Sequence, residues 1–355
     1  SAQHTTTVIR PCVAFIIGDG SSSLTAIAQH VRQAIEGQKN IMSAVQAYSQ
    51  AFAKTVASFD PSNPTRWYFQ SDALHLSILL CLLVALLCFI GSTATGNYSR
   101  VDQLWSVIPV IYAWHFALHA GLPPRAVAGA TLITAWGVRL TYNFARKGGY
   151  SGEEDYRWPA LREIIPNPLL WALFNFFFIS IVQNVILLGI IVPVHFAARA
   201  TTTPSLTLID AIYIAAFLAL LVFESIADEQ QWRFQNTKYA ARAAADAPGG
   251  PAVPPHFARG FLTAGLFSMS RHPNFFAEQA MWVVTAVWGA VLSGGARDVT
   301  PWLANGWGAL ALVALFQGST SFTEELTLKK YSAYAKYQKT VSRLIPWVPR
   351  EIKWE

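Results

Sequence analysis

Apolar residues follow two rhythms along this chain. Between Leu24 and Phe59 they recur at Leu24, Ile27, Val31, Ile35, Met42, Val45, Tyr48, Phe52, Val56 and Phe59. Steps of three, four and seven place them on one stripe, which predicts an amphipathic helix with Gly37 as a point of interruption. Such a stripe suits the body of the same chain, a membrane surface, or a protein partner met through residues 24–59. Asp60-Pro-Ser-Asn-Pro64 then closes the stretch as a turn. Beyond it the spacing gives way to continuous apolar runs near Ala73–Gly91, Leu104–Ala120, Ala126–Phe144, Pro168–Phe196, Leu208–Ala227, Phe275–Leu292 and Trp302–Phe322. Most approach the roughly 20 residues that cross a hydrocarbon core. The expectation is an all-α membrane protein with about seven transmembrane helices. Residues 1–65 form a polar N-terminal extension and residues 66–355 the membrane domain. From Phe322 to Lys339 tyrosines and lysines interleave, predicting a C-terminal amphipathic helix at the interface.

Composition agrees. Hydrophobic residues make up 53% and charged residues 13%, about half the charge of an ordinary soluble domain. The net charge of +6 changes meaning once it is located. Seventeen of the 26 Lys and Arg fall on one face of a seven-span arrangement, and only three in the loops of the other. That bias orients the C-terminus to the cytosol and accounts for the positive charge with no nucleic acid. Cys12, Cys81 and Cys88 show neither metal-ligand nor paired spacing, and the last two lie in an apolar run as small hydrophobes. The start of the chain lacks the basic region and apolar core of a signal peptide.

The dense polar clusters all fall on the basic face. Asp102 stands at the mouth of the second apolar run, where local evidence reads it as a helix N-terminal acid. Arg139 lies within the third run and needs a partner there. It is four residues from Asn143, as Tyr142 is from Arg146. Glu224 and Asp228 share a face, with Arg233 about a turn further on. They read either as a buried salt bridge or as carboxylates gripping a ribose or amide beside a phosphate-binding arginine. The densest stretch runs from Gly265 to Glu278 and holds Arg271, His272, Asn274 and Glu278. Pro273 opens the next helix, whose free N–H groups beside Arg271 offer an anion site. Asn274 and Glu278, four apart, face one way. Glu324 and Glu325 end the last run, where one can turn back into the site. No His or Cys pair has metal-ligand spacing on this face, and Rossmann, P-loop and serine-elbow motifs are absent. A segment rich in Ala and Pro, 235–260, reads as a loop over the site.

Ser270-Arg-His-Pro-Asn-Phe-Phe-Ala-Glu278, with Val101-Asp-Gln-Leu-Trp105, Trp136-Gly-Val-Arg139, Phe223-Glu-Ser-Ile-Ala-Asp228, Arg233-Phe234, Tyr334-Ala-Lys-Tyr337 and Ile345-Pro-Trp347, resembles the membrane steroid 5α-reductase-like family. The resemblance covers about Val101 to Arg350. It implies an endoplasmic-reticulum-type membrane reductase that uses NADPH on a double bond conjugated with a carbonyl, in a lipid-like substrate such as a sterol or isoprenoid enone. By the same resemblance Arg139, Arg146, Asp228, Arg233, Arg271, His272, Asn274 and Glu278 bind the cofactor. Asp102 engages the substrate carbonyl, assisted by Tyr142 or Trp136. Ser268-Met269 stands where the family branch usually carries Arg-Tyr, and Ala277 where it carries Gly. Two alternatives stand beside this reading. Arg271-His-Pro273 followed by Glu324-Glu325 is also similar to membrane methyltransferases that use S-adenosylmethionine. A non-catalytic subunit of a membrane complex is the other.

Overall fold

The computed structural model describes residues 42–200, 205–349, 352 and 354. The part of the amphipathic stripe from Leu24 to residue 41, Gly37 included, lies outside them, as does Cys12. The chain forms two compact units, Ser1–His75 and Leu76–Glu355, and among the described residues no strand occurs.

In the first unit the stripe is helical over residues 42–57 (α1). Pro64–Gln70 (α2) follows, started by Pro64 and capped by the Asn63 side chain on the Arg66 N–H. Trp67 donates to the Thr55 carbonyl at 3.0 Å and stacks edge-on against Phe59. The Thr55 hydroxyl meets His75 Nδ1 at 2.9 Å. Met42, Val45 and Val56 stay exposed.

The second unit is built of Ala73–Thr95 (α3, which begins in the first), Arg100–Leu104 (α4), Ile108–His119 (α5), Pro124–Arg146 (α6) and Arg157–Ile164 (α7). Pro168–Arg199 (α8), Leu208–Asp246 (α9), Pro273–Leu292 (α10), Thr300–Lys330 (α11) and Tyr334–Thr340 (α12) complete it. Of these, α3, α8, α9 and α10 are long and apolar enough to cross a membrane. Their outward faces are those of a protein solvated by lipid: α3 exposes Leu82, Leu83, Leu86, Leu87 and Ile90. The inward stripe of α3 is small, with Ser77, Cys81, Ala85, Cys88 and Ser92 buried. Small residues also let α8 and α11 touch, since a Cβ on Gly308 would lie 2.1 Å from the Gly189 carbonyl carbon.

Three expectations change. The second apolar run is helical only over the 12 residues of α5, about 18 Å, which is shorter than a hydrocarbon core. A turn at Trp105–Val107 separates α5 from α4, and Pro109 sits in the first turn of α5. The expected loop at 235–260 is helical as far as Asp246, because Ala240 to Ala245 favour helix and carry α9 on. The C-terminal helix is the seven-residue α12, and its tyrosines are not interfacial. Tyr334 and Tyr337 are buried with Phe261 and Val341, so the short helix docks by its aromatic face.

α10 is central, packed against α9, α11 and the end of α8, while α6 lies against α5 and α9. That arrangement brings the polar residues of α6, α9 and α10 to one point.

Candidate functional site

The 39 residues of α9 span about 58 Å. Its start is fixed by a capping box between Thr207 and Asp210. Asp228 lies about 30 Å along the axis from Leu208, a length that matches the thickness of a hydrocarbon core. A cluster of charge sits there. Arg139 Nη1 binds Asp228 Oδ2 at 2.6 Å, and Nη2 approaches Glu224 Oε2 at 2.8 Å and Glu278 Oε2 at 3.6 Å. Trp136 and Trp282 donate to the two oxygens of Glu278 at 2.7 and 2.9 Å, and Asn274 donates to Asp228 Oδ1 at 3.2 Å. Helical spacing explains each face: Trp136 and Arg139 on α6, Glu224 and Asp228 on α9, Asn274, Glu278 and Trp282 on α10.

This cluster is under-satisfied. Arg139 lies within 3.6 Å of three carboxyl groups, and Lys147 acts on two of them, Asp228 and Glu224, from further off. The Arg139–Glu224 approach is an ion pair without hydrogen-bond alignment, so Glu224 Oε2 and Arg139 Nη2 lack hydrogen-bond partners, as does Arg139 Nε. Buried groups of this kind are costly near hydrocarbon.

Arg271 and His272 belong to a second cluster. Arg271 binds Glu324 through both arms of its guanidinium, at 2.6 and 3.0 Å, and donates to the carbonyls of Gln338 and Val341. His272 Nε2, the Tyr334 hydroxyl and the Gln338 amide complete the shell of Glu324 at 2.9, 3.1 and 3.1 Å. The Arg271 N–H binds the Ser342 carbonyl, the Ser270 hydroxyl the Leu344 carbonyl, and Tyr337 the Phe267 carbonyl. Burial pushes the Glu324 carboxyl up, but His272 and Arg271 overcome it and hold it below the usual range. Glu325 points outward to Lys329. Ahead of this knot, Gly265 takes φ +64°, and a Cβ there would meet Gln230 Oε1 at 2.5 Å; that oxygen accepts the Leu266 N–H.

The remaining predicted residues lie elsewhere. Asp102 accepts from Trp158 at 2.9 Å and has Arg157 at 3.9 Å, with no contact to the Arg139 cluster. Burial pushes its carboxyl up; Arg157 opposes this, Asp155 adds to it, and hydrogen bonds from Trp158 and Ser99 pull it down. Tyr142 is 64% exposed on the outer face of α6. Its ring lies under Arg146. Between the two aromatic candidates, Trp136 is the one in the cluster. Arg146 binds Glu229 at 2.7 Å and Asn143, and Arg233 binds the same Glu229 at 2.7 Å while 77% of its side chain is exposed. So the structure brings together Arg139, Asp228, Asn274 and Glu278, pairs Arg271 with His272, and leaves Asp102, Tyr142, Arg146 and Arg233 apart from both.

Sequence reasoning misses Trp282, although its spacing of four from Glu278 is a signal. It also misses the buried pair of Arg125 with Asp210, at 2.8 Å, which Trp288 joins at 2.9 Å. Asp210 is legible as a capping acid, but its partner in α6 is not.

Residues 88–341 match the family model described as "Protein of unknown function (DUF1295)", and the chain belongs to that family. It is 36% identical over 293 residues, 79% of this chain and 81% of the relative, to the uncharacterized protein C594.04c of Schizosaccharomyces pombe (strain 972 / ATCC 24843). No solved structure matches.

Proposed function

We propose that this DUF1295 family member is an intramembrane reductase that uses NADPH on a conjugated double bond of a lipid-like enone. The observation that carries the reading is the convergence of Arg139, Asp228, Asn274 and Glu278, from three helices, at the border of the hydrocarbon. A lipid-soluble substrate and a water-soluble cofactor have only such a border in common.

The residues fit part of a dinucleotide. The unpartnered Glu224 Oε2 accepts from a ribose hydroxyl or a carboxamide, and the unpartnered Arg139 Nε donates. Bound there, NADPH supplies a hydride. Trp136 and Trp282 fix the Glu278 carboxylate, and the apolar walls of α6, α9 and α10 exclude water from it.

One observation favours a second reading. Arg271, His272 and Glu324 meet, and they come from the Arg-His-Pro turn and the Glu-Glu element that are similar to those of methyltransferases using S-adenosylmethionine.

The test is binding of NADPH and of S-adenosylmethionine to the purified protein in detergent. The expected result is NADPH binding that weakens at least ten-fold in Asn274→Ala. Selective binding of S-adenosylmethionine overturns the reductase reading in favour of the second, and binding of neither leaves a non-catalytic subunit.

A further inference from the structure

We infer that the outer face of α9 carries a seat for an anionic glycerophospholipid. A shallow, open groove of about 450 Å³ lies along this face, lined by Val222, Ser225, Ile226, Glu229, Gln230 and Arg233. It lies on the opposite side of the helix from Glu224 and Asp228, and nothing in the proposed reduction uses it.

Depth and charge together identify the occupant. From Leu208, Val222 lies about 21 Å along the axis, Glu229 about 32 Å and Arg233 about 38 Å. With a hydrocarbon core about 30 Å thick, Val222 and Ile226 stand at acyl-chain depth and Arg233 at headgroup depth. Val222 and Ile226 are exposed, as a lipid contact requires. At the polar end two arginines share one carboxylate, since Arg146 and Arg233 both bind Glu229 at 2.7 Å. The surplus is one positive charge, and the exposed Arg233 has only its Nε engaged with Glu229. Trp232 and Tyr142 lie about the Arg146 guanidinium, at 5.0 and 5.2 Å to their ring centroids, an aromatic pair of the kind that marks the headgroup level. An apolar groove that ends in an unbalanced arginine at this depth matches an acyl chain joined to a phosphate.

The seat does not depend on the cofactor. The full-length protein, delipidated in detergent, is titrated with dioleoyl phosphatidylglycerol or dioleoyl phosphatidylcholine and bound lipid is read by native mass spectrometry. Expected is a preference for phosphatidylglycerol that falls about five-fold in Arg233→Gln, the attraction of one arginine for an anionic headgroup. The same preference rises in Glu229→Gln. Val222→Trp, which fills the apolar half, weakens both lipids. Equal retention of the two lipids by the unaltered protein overturns the proposal. So does a preference that survives Arg233→Gln. Displacement of phosphatidylglycerol by inorganic phosphate, with Val222→Trp silent, makes this a bare anion site and overturns it as well. Displacement by NADPH, with NADPH affinity falling in Arg233→Gln, returns Arg233 to the dinucleotide and likewise overturns the lipid seat.

Discussion

Two arginines of this protein stand in opposite circumstances. Arg271 is closed: its side chain is 8% exposed, both guanidinium arms bind Glu324, and a third nitrogen position serves two backbone carbonyls of the C-terminal segment. Arg139 is open: three carboxyl groups surround it, only one is aligned for a hydrogen bond, and its Nε has no partner. The closed arginine holds α12 and the segment after it against α10 and α11. The open one offers unspent donors and acceptors at the edge of the hydrocarbon. A buried polar network stabilises one arrangement when every member is satisfied. When members are left over, it is poised to receive something else. On the proposed reading the closed cluster is structural and the open one binds, although both lie around α10.

The hardest test of that division is Glu324→Ala. It strands Arg271 as an uncompensated buried charge and should cost about 3–5 kcal/mol. Thermal unfolding in detergent and limited proteolysis check it, with the C-terminal segment cut first. Unchanged stability would dissolve the distinction between the clusters. Asn274→Ala acts on the open side, where one hydrogen bond to the Asp228 carboxylate is worth about 1.5–3 kcal/mol. Stability should fall by less than in Glu324→Ala while NADPH affinity falls at least ten-fold. A large loss of stability with affinity intact would make the open cluster structural too.

Acid should separate the clusters through Glu324. Its folded carboxyl is depressed below the ordinary 4.5, so its contribution to stability is complete above that pH. It is lost as pH falls from there through the folded value. Protease release of the C-terminal segment should therefore begin only below about pH 4.5, and release at neutral pH in the unaltered protein would contradict the closed knot. The smallest effect is expected of Arg233→Gln. This exposed side chain pairs only with Glu229, and stability should stay within about 0.5 kcal/mol; a larger change in the same unfolding experiment would mean that the outer face of α9 is structural.

Much of the architecture is legible in the residues alone. The apolar runs mark helices because hydrocarbon leaves a backbone only the helix or the closed barrel, and barrel strands alternate where these runs are continuous. Spacing of four within one helix picks Asn274 with Glu278 and Glu224 with Asp228, since periodicity is local. Pro273 marks where a helix begins for the same reason. Spacing cannot say which helix a side chain meets. Arg139 needs a partner by burial alone, yet only the packing of α6 on α9 and α10 names three. Tyr142 and Trp136 are interchangeable in sequence, six residues apart on one helix. Packing turns Trp136 onto Glu278 and Tyr142 outward.

Arg271 and Arg233 both read as cofactor arginines for want of that information, and the fold pairs them with Glu324 and Glu229 instead. Residue chemistry and helical period marked most of the helices and the polar groups each would carry, but not the extents of α5, α9 and α12. Which polar groups are used up and which are left over depends on contacts between residues such as Arg139 and Glu278, far apart in the chain, and so was decided only by the tertiary structure.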